Sequence, residues 1–135
     1  MTHEEANKLN DRTPDIEIYI KDCDPQATLS WLQTIGTDVK ILEQSSAHIK
    51  GELQSNQAQI PFLLVVNAVK KFSSLWLNSP NTPWKNDLEC ALSASSALKR
   101  ETRCAVSSWE EEENPDDERW WKVTEDGKTQ VRWDI

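Results

Sequence analysis

The chain has 135 residues, with 23 acidic and 15 basic side chains and a formal net charge of −8 at pH 7. A chain of this length forms one domain and buries a sufficient core without disulfides or metals. Its acidic balance and scattered Lys and Arg argue against nucleic acid as a partner, because binding to phosphates needs clustered positive charge.

Cysteine usage and hydropathy predict a cytoplasmic protein. The three cysteines, Cys23, Cys90 and Cys104, have no CxxC spacing, which makes disulfides and a zinc site poor interpretations. Residues 1–14 are polar and predict a flexible N-terminal arm without a secretory signal. No apolar run approaches the roughly 18 residues of a membrane span, so no membrane partner is expected.

The first half of the predicted domain, residues 15–69, has the order strand, helix and three strands. The segment Ile16–Lys21 alternates between isoleucine and a more polar residue, which predicts a half-buried strand. Asp24 followed by Pro25 is typical of a helix start, and Gly36 is expected to end that helix. Three further strands are predicted near residues 39–42, 47–53 and 60–68.

The second half, residues 70–135, repeats this order. A strand at 72–78 precedes a helix that is expected to start near Thr82-Pro83. The last three strands are predicted at 101–107, 120–124 and 129–133. Between the final two, Asp126-Gly127 is typical of a hairpin turn. The chain from residue 15 to 135 therefore predicts a single α+β domain with a repeated element order.

This repeated order resembles the paired βαβββ modules of the glyoxalase, or vicinal-oxygen-chelate, superfamily, and the resemblance covers about Asp15 to Asp134. It implies an α+β fold in which two βαβββ-like halves form a cupped antiparallel or mixed sheet. The two helices would cover one face, and the site would lie in the concavity. A ferredoxin-like sandwich with extra strands is an alternative that uses the same helices.

The resemblance also implies where metal ligands would lie, since that superfamily takes His and Glu from the first and last strand of each module. Here those strands contain Glu17 and Asp134 but no histidine, because the only histidines are His3 and His48. A divalent metal needs three or four converging ligands, so we expect no metal and no cofactor. Without a G-x-S-x-G motif or a glycine-rich phosphate loop, no catalytic residue is predicted, and an enzyme is the less favoured interpretation.

Strand parity predicts a ligand-binding face on the side of the sheet away from the helices. Aromatic walls with a few directed polar groups suit a small ligand, and a guanidinium can clamp a carboxylate with two hydrogen bonds. A solvated face or a dimer interface is the alternative. If the sheet curls, the residues expected to line the concavity are Tyr19, Asn67, Trp76, Asn78 and Arg132.

A run of carboxylates at 110–118 predicts a second kind of surface. It lacks the spacing of a calcium loop, so it suits either docking of a basic protein or a solvated loop. The residues assigned to docking are Glu110, Glu111, Glu112, Glu113, Asp116 and Asp117.

Two functions follow from these surfaces. The first is a metal-free, non-catalytic domain that binds a small ligand. The alternative is a protein-interaction module, of the kind formed by immunity or inhibitor proteins, that presents the acidic loop to a basic partner. The first predicts a cavity with convergent polar groups and the second a flat negative patch. Both are compatible with a homodimer.

Overall fold

The computed structural model describes residues 13–55, 58–106 and 119–133. In these ranges the chain is α+β, with eight antiparallel strands in one sheet and two helices. Most of the predicted N-terminal arm, residues 1–12, lies outside the described residues. The strands are β1 (Ile16–Lys21), β2 (Asp38–Gln44), β3 (His48–Ser55), β4 (Ala58–Val69), β5 (Phe72–Leu77), β6 (Thr102–Ala105), β7 (Arg119–Thr124) and β8 (Gly127–Arg132); the helices are α1 (Pro25–Ile35) and α2 (Asp87–Leu98).

The predicted order of strand, helix and three strands, followed by a second such set, is confirmed along the chain. In the sheet, the strands are arranged β2-β3-β4-β5-β1-β6-β7-β8. The first strands of the two halves, β1 and β5, are therefore neighbours at its centre. If the two halves were related by symmetry, exchanging them would leave the strand order of the sheet unchanged. It does not, because the last strand of the first half, β4, pairs with β5, whereas the last strand of the second half, β8, lies at an edge. The repeat is thus one of element order along the chain.

The helix α1 begins and ends at the predicted residues. The side chain of Asp24 accepts a hydrogen bond from the backbone N–H of Gln26 at 3.1 Å, and Pro25 occupies the first turn, where a missing N–H costs nothing. The helix ends at Gly36, which lies so close to β3 that a Cβ there would collide with the carbonyl of Gln54. A glycine is needed at this position for the close approach of helix end and strand.

The helix α2 begins later than the sequence predicts. Its N-cap is Asn86, whose side chain accepts the N–H of Glu89 at 2.9 Å. The hydroxyl of Thr82 instead donates a hydrogen bond to the carbonyl of Trp84, two residues later, at 3.0 Å. The predicted start near Thr82-Pro83 is therefore wrong by about one helical turn, because the threonine caps a preceding turn instead.

The hydrophobic core lies between the two helices and one face of the sheet. The three isoleucines of β1 point into it and are at most 1% exposed, which confirms the predicted parity of that strand. Trp31 on α1 and Trp84 before α2 stack with ring centroids 5.5 Å apart and join the two helices. Cys90 and Cys104 are buried here, and burial raises the pKa of both thiols, to about 12 for Cys104. No helix in the described ranges is long and apolar enough to cross a membrane.

The hairpin of β7 and β8 is confirmed, but its turn lies one residue earlier than predicted. Thr124 pairs with Gly127, so Glu125 and Asp126 form the turn. Gly127 has a φ of 136°, a conformation that a residue with a Cβ adopts only with strain. The glycine is therefore required after the turn rather than within it.

At the opposite edge of the sheet, β2 contains an irregularity. Its pairing with β3 slips between Ile41 and Glu43, which is the pattern of a β-bulge. Ile41 and Leu42 are also 39% and 50% exposed, so two large apolar side chains lie on this edge strand. The edge strand β2 thus exposes two apolar side chains, and its backbone pairing is irregular.

A close contact at Gly51 on β3 predicts the first mutational outcome. A Cβ at Gly51 would lie 2.5 Å from the carbonyl oxygen of Lys40 and 2.8 Å from the ring of Phe62. We expect Gly51→Ala to lower the free energy of unfolding by about 1–3 kcal/mol, because backbone and core must both shift. Urea denaturation followed by Trp fluorescence measures this loss. Gln33→Ala, at an exposed position of α1, is the control, and an equal effect of both substitutions would contradict the steric explanation.

Candidate functional site

The half of the sheet that contains β5, β1, β6, β7 and β8 is strongly curled. The rings of Phe72 on β5 and Trp133, directly after β8, have centroids 4.7 Å apart. Four strand-to-strand steps separate these strands, and in a flat sheet they would span roughly 19 Å. The contact therefore requires the sheet to curl around the face that points away from the helices.

Four aromatic rings fill the inside of this curl, and we call them the aromatic cluster: Tyr19, Phe72, Trp120 and Trp133. Trp133 is its centre, with ring centroids 5.4 Å from Tyr19 and 4.9 Å from Trp120 in edge-to-face geometry. Such pairs add about 0.5–1.5 kcal/mol each beyond burial. Phe72 and Trp133 are only 7% and 8% exposed, whereas Tyr19 and Trp120 are half-buried. The concave face is thus largely filled by the protein's own rings.

A cation lies among these rings. The guanidinium carbon of Arg103 on β6 is 5.0 Å from the ring centroid of Phe72 and 4.9 Å from that of Trp133. Its Nε donates to Oε2 of Glu101 at 2.8 Å, and the two side chains are only 17% and 14% exposed. A guanidinium with so little exposed surface is tolerated because it forms an ion pair with Glu101 and lies against the faces of two aromatic rings.

A second feature is the Trp76 patch, formed by Asp15, Glu17, Trp76 and Asp87. Glu17 and Trp76 lie on the same open face, whereas Asp87 reaches the backbone of Glu17 from the start of α2. The indole N–H of Trp76 donates to Oδ2 of Asp15 at 2.7 Å, which fixes the ring. Trp76 lies between Glu17 and Leu63 in the strand register. The backbone N–H of Glu17 donates to Oδ1 of Asp87 at 3.2 Å, which ties the first turn of α2 to β1.

Two carboxyl groups of the Trp76 patch, those of Glu17 and Asp87, have raised pKa values. The pKa of Asp87 is raised to about 6, mainly by burial, while the hydrogen bond from the Glu17 N–H lowers it and the charges of Asp15 and Glu17 add to the rise. Burial and the charge of Asp15 also raise the pKa of Glu17. The patch therefore combines partial burial of carboxyl groups with neighbouring negative charges, and a cation beside it would favour their ionised forms.

The structure brings together only some of the predicted ligand-binding residues. Tyr19 and Trp76 lie on the same open face, on the neighbouring strands β1 and β5. Asn67 and Asn78 are exposed near the two ends of β5, where their backbone N–H groups donate to Ser73 Oγ and to the Pro61 carbonyl.

Arg132 lies on the other face of the hairpin. It pairs with Arg119, whereas its neighbour Val131 pairs with Trp120 of the aromatic cluster. The predicted grouping of Arg132 with Tyr19 does not occur, because successive residues of a strand point to opposite faces. The carboxylates assigned to docking, at 110–118, lie outside the described residues.

The sequence prediction missed Arg103, Phe72, Trp120 and Trp133. A signal for Arg103 was present, because Thr102 and Cys104 on either side of it are fully buried towards the helices and force it onto the open face. For the tryptophans, the sequence pattern is ambiguous. Trp120 and Trp121 point to opposite faces of the sheet, and the local pattern does not show which of them lies on the open face.

One cleft, between the start of α1 and the end of α2 and lined in part by Asp24, Thr28 and Arg100, has a volume of about 80 Å³. A second, shallow and open cleft on the β7–β8 hairpin has a volume of about 230 Å³. Typical ligand pockets hold roughly 300–1,000 Å³, so both clefts are small. Within the ranges 13–55, 58–106 and 119–133, no group of three or more His, Cys, Asp or Glu side chains is placed to hold a metal.

No protein-family model matches the chain, and neither the curated proteins nor the solved structures contain a match.

The buried ion pair predicts a stability effect. Replacing Arg103 by Leu leaves the largely buried carboxylate of Glu101 without its partner, so we expect a loss of about 2–4 kcal/mol in the free energy of unfolding. The double variant Arg103→Leu/Glu101→Gln is expected to lose less, because it leaves no unpaired charge. Urea denaturation compares them with Arg100→Leu, which removes an exposed arginine and should cost about 1 kcal/mol or less. A double variant less stable than the single one would contradict this account.

The raised pKa of Asp87 predicts a pH dependence. The folded state holds this proton up to about pH 6, whereas the unfolded chain releases it near about pH 4, so the folded state loses stability as the pH rises through this window. Relative to Asp87→Asn, the wild type should lose about 1–2 kcal/mol of unfolding free energy between about pH 4 and pH 7. Urea denaturation across that range measures the difference. Asp38→Asn, at an exposed position of β2, is the control, and equal pH profiles for the two variants would overturn the assignment.

Proposed function

We propose that the chain is a non-catalytic protein-interaction module that binds a basic partner through the open face of its sheet. The observation that carries this proposal is the Trp76 patch, where a half-buried indole is fixed by the carboxylate of Asp15 and lies beside Glu17 of the neighbouring strand. The interaction class is the one expected from the sequence, but the contact lies on the open face of the sheet instead of the 110–118 run.

The composition of this face supports a protein partner. Its partly buried side chains include Tyr19, Trp76, Arg103 and Trp120, together with Leu63 on β4. Tyr, Trp and Arg are the residue types most enriched at the centres of protein interfaces. Aromatic rings fill the concave part of the face, so a flat contact is favoured over enclosure of a small molecule.

The charge of the Trp76 patch supports a basic partner. A Lys or Arg side chain can lay its aliphatic stem on the Trp76 ring while its charged end meets the carboxylates. Such a cation would favour the ionised forms of Glu17 and Asp87, whose pKa values are raised first by burial and then by neighbouring carboxylates. The net charge of −8 would also steer a basic partner towards the protein over longer distances.

A small ligand remains a second candidate, supported by Tyr19 and Trp120. Both rings are half-buried at the rim of the concave face, next to the cation of Arg103. A planar carboxylate could stack on one ring and approach the guanidinium. The glyoxalase-like arrangement of the two halves, from which this concavity was expected, stays a prediction.

Titration of the ¹⁵N-labelled full-length chain with the peptide Gly-Arg-Gly-Arg-Gly tests the proposal by NMR. Each of the seven tryptophans contributes one indole N–H signal, and Trp76→Phe assigns the one of interest. We expect the Trp76 signal to shift saturably, while those of the buried Trp31 and Trp84 stay in place. Asp15→Asn/Glu17→Gln should weaken peptide binding about tenfold, because two opposing charges are removed from the contact.

The matched control is Glu110→Gln/Glu111→Gln, which changes the net charge equally. An equal loss of affinity in both double variants would refute docking at the Trp76 patch and leave attraction to the overall charge. Benzoate provides the small-ligand arm of the same experiment. A saturable shift of Trp120 and Trp133 with benzoate, without a Trp76 response to the peptide, would favour the small-ligand function instead.

A further inference from the structure

The turn between β2 and β3 holds a serine, a histidine and a glutamate in hydrogen-bonding contact. Oγ of Ser45 is 3.1 Å from Nδ1 of His48. The other ring nitrogen, Nε2, is 2.5 Å from Oε2 of Glu43. Because a carboxylate only accepts, Nε2 carries the ring proton and Nδ1 accepts the hydroxyl proton of Ser45. The contacts therefore run from hydroxyl to imidazole to carboxylate, the order found around an activated nucleophile.

The β-bulge in β2 brings Glu43 to the same side of the sheet as His48. The register slip pairs Glu43 with Lys50, whereas a regular continuation of the strand would pair it with Ile49. Ile49 is buried towards the helices, so His48 and Lys50 on either side of it lie on the open face. The bulge thus re-aims the carboxylate towards the imidazole, as bulges beside functional sites do.

Backbone donors also point at the hydroxyl oxygen of Ser45. The N–H groups of Ala47 and His48 donate to its Oγ at 3.1 and 3.2 Å. Such donors stabilise negative charge on the oxygen as its proton leaves. The turn is held in place because the N–H of Val66 on β4 donates to the Ala47 carbonyl at 2.8 Å. Ser45 is nevertheless exposed, so an electrophile can reach it.

The electrostatics of the histidine and glutamate pair support a role for His48 as a base. The hydrogen bond from His48, and then the charge of that ring, lower the pKa of Glu43, and Lys50 acts in the same direction. Glu43 is therefore ionised at neutral pH. It would stabilise the imidazolium that forms when His48 takes a proton.

We propose that Ser45 is a site of covalent acylation by activated acyl esters, with His48 as its general base and Glu43 as the residue that positions the base. Oγ of Ser45 bonds to the acyl carbon and passes its proton to Nδ1 of His48. The bond between the acyl carbon and the leaving oxygen then breaks, and that oxygen keeps the electron pair and takes the proton from His48. The products are an ester of Ser45 and a free alcohol. Each chain reacts once, so the modification is compatible with a non-catalytic module and does not depend on the proposed partner.

Reaction of the full-length chain with p-nitrophenyl acetate tests this site. Trypsin cuts after Lys40 and Lys50, so the peptide 41–50 contains Ser45 and its exposed neighbour Ser46. Tandem mass spectrometry of this peptide compares the acetylation rates of the two serines within the same molecule. We expect Ser45 to react about a hundredfold faster than Ser46, the lower end of what a positioned general base contributes. Equal rates at the two serines in the wild type would refute the proposal.

Variants of His48 separate a base from a side chain that only closes the turn. His48→Ala should remove the preference for Ser45 over Ser46, and added imidazole should restore it by filling the gap beside Ser45. Imidazole in free solution accelerates acetylation of both serines alike, so the preference reports only the base bound at the turn. A preference that persists in His48→Ala, or that imidazole does not restore, would overturn His48 as the base.

Glu43→Gln tests the positioning role. It should slow acetylation of Ser45 several-fold in the wild type but have no effect in the His48→Ala background, because Glu43 acts through the imidazole. Glu52→Gln, which removes a carboxylate from the same face of β3, is the matched control and should leave the rate unchanged. Equal losses from Glu43→Gln with and without His48 would contradict this role.

Discussion

The guanidinium of Arg103 lies against the rings of Phe72 and Trp133, and this contact joins the two ends of the curled half of the sheet. Phe72 belongs to the central strand β5, and Trp133 follows the edge strand β8. Because Glu101 balances the charge, the arginine can fill space between rings as an apolar residue would, while its ion pair fixes its direction. The curl, and with it the position of the whole β7–β8 hairpin, depends on this arrangement.

As a result, positively and negatively charged side chains lie on different parts of the open face of the sheet. On one side, Lys21, Arg103 and Lys122 surround the aromatic cluster. On the other, the carboxylates of Asp15 and Glu17 lie beside the single indole of Trp76. The two sides meet along β1, where Glu17 and Lys21 lie on the same face with Tyr19 between them. A partner on this face would therefore encounter both signs of charge, and its orientation would be set by which end of β1 its own cations approach.

Local patterns were sufficient to predict much of the fold. The alternation of β1, the cap at Asp24 and the stop at Gly36 each depend on a few adjacent residues, and each was predicted correctly. The insertion of β1 between β5 and β6 was not predictable, because strand pairing depends on contacts between residues distant in sequence.

The candidate site was predicted in part for the same reason. The placement of Tyr19 and of Trp76 on the open face follows from the alternation of residues within each one's own strand. The face of Arg132, in contrast, depends on which of Trp120 and Trp121 points inward, and only the register of the β7–β8 hairpin decides that. Arg103 was within reach of sequence reasoning, since both its neighbours are small and buried, but its partners Phe72 and Trp133 come together only through the curl.

The bulge in β2 has a consequence for the behaviour of the protein in concentrated solution. An incoming strand adds to a sheet edge when the outward-pointing N–H and C=O groups alternate regularly along it. The register slip between Ile41 and Glu43 interrupts that alternation in the middle of β2, at the place where the exposed apolar side chains would otherwise favour aggregation. Only short stretches on either side could pair with another chain. The bulge therefore makes β2 a poorer template for an added strand than a regular edge strand with the same exposed Leu42 would be.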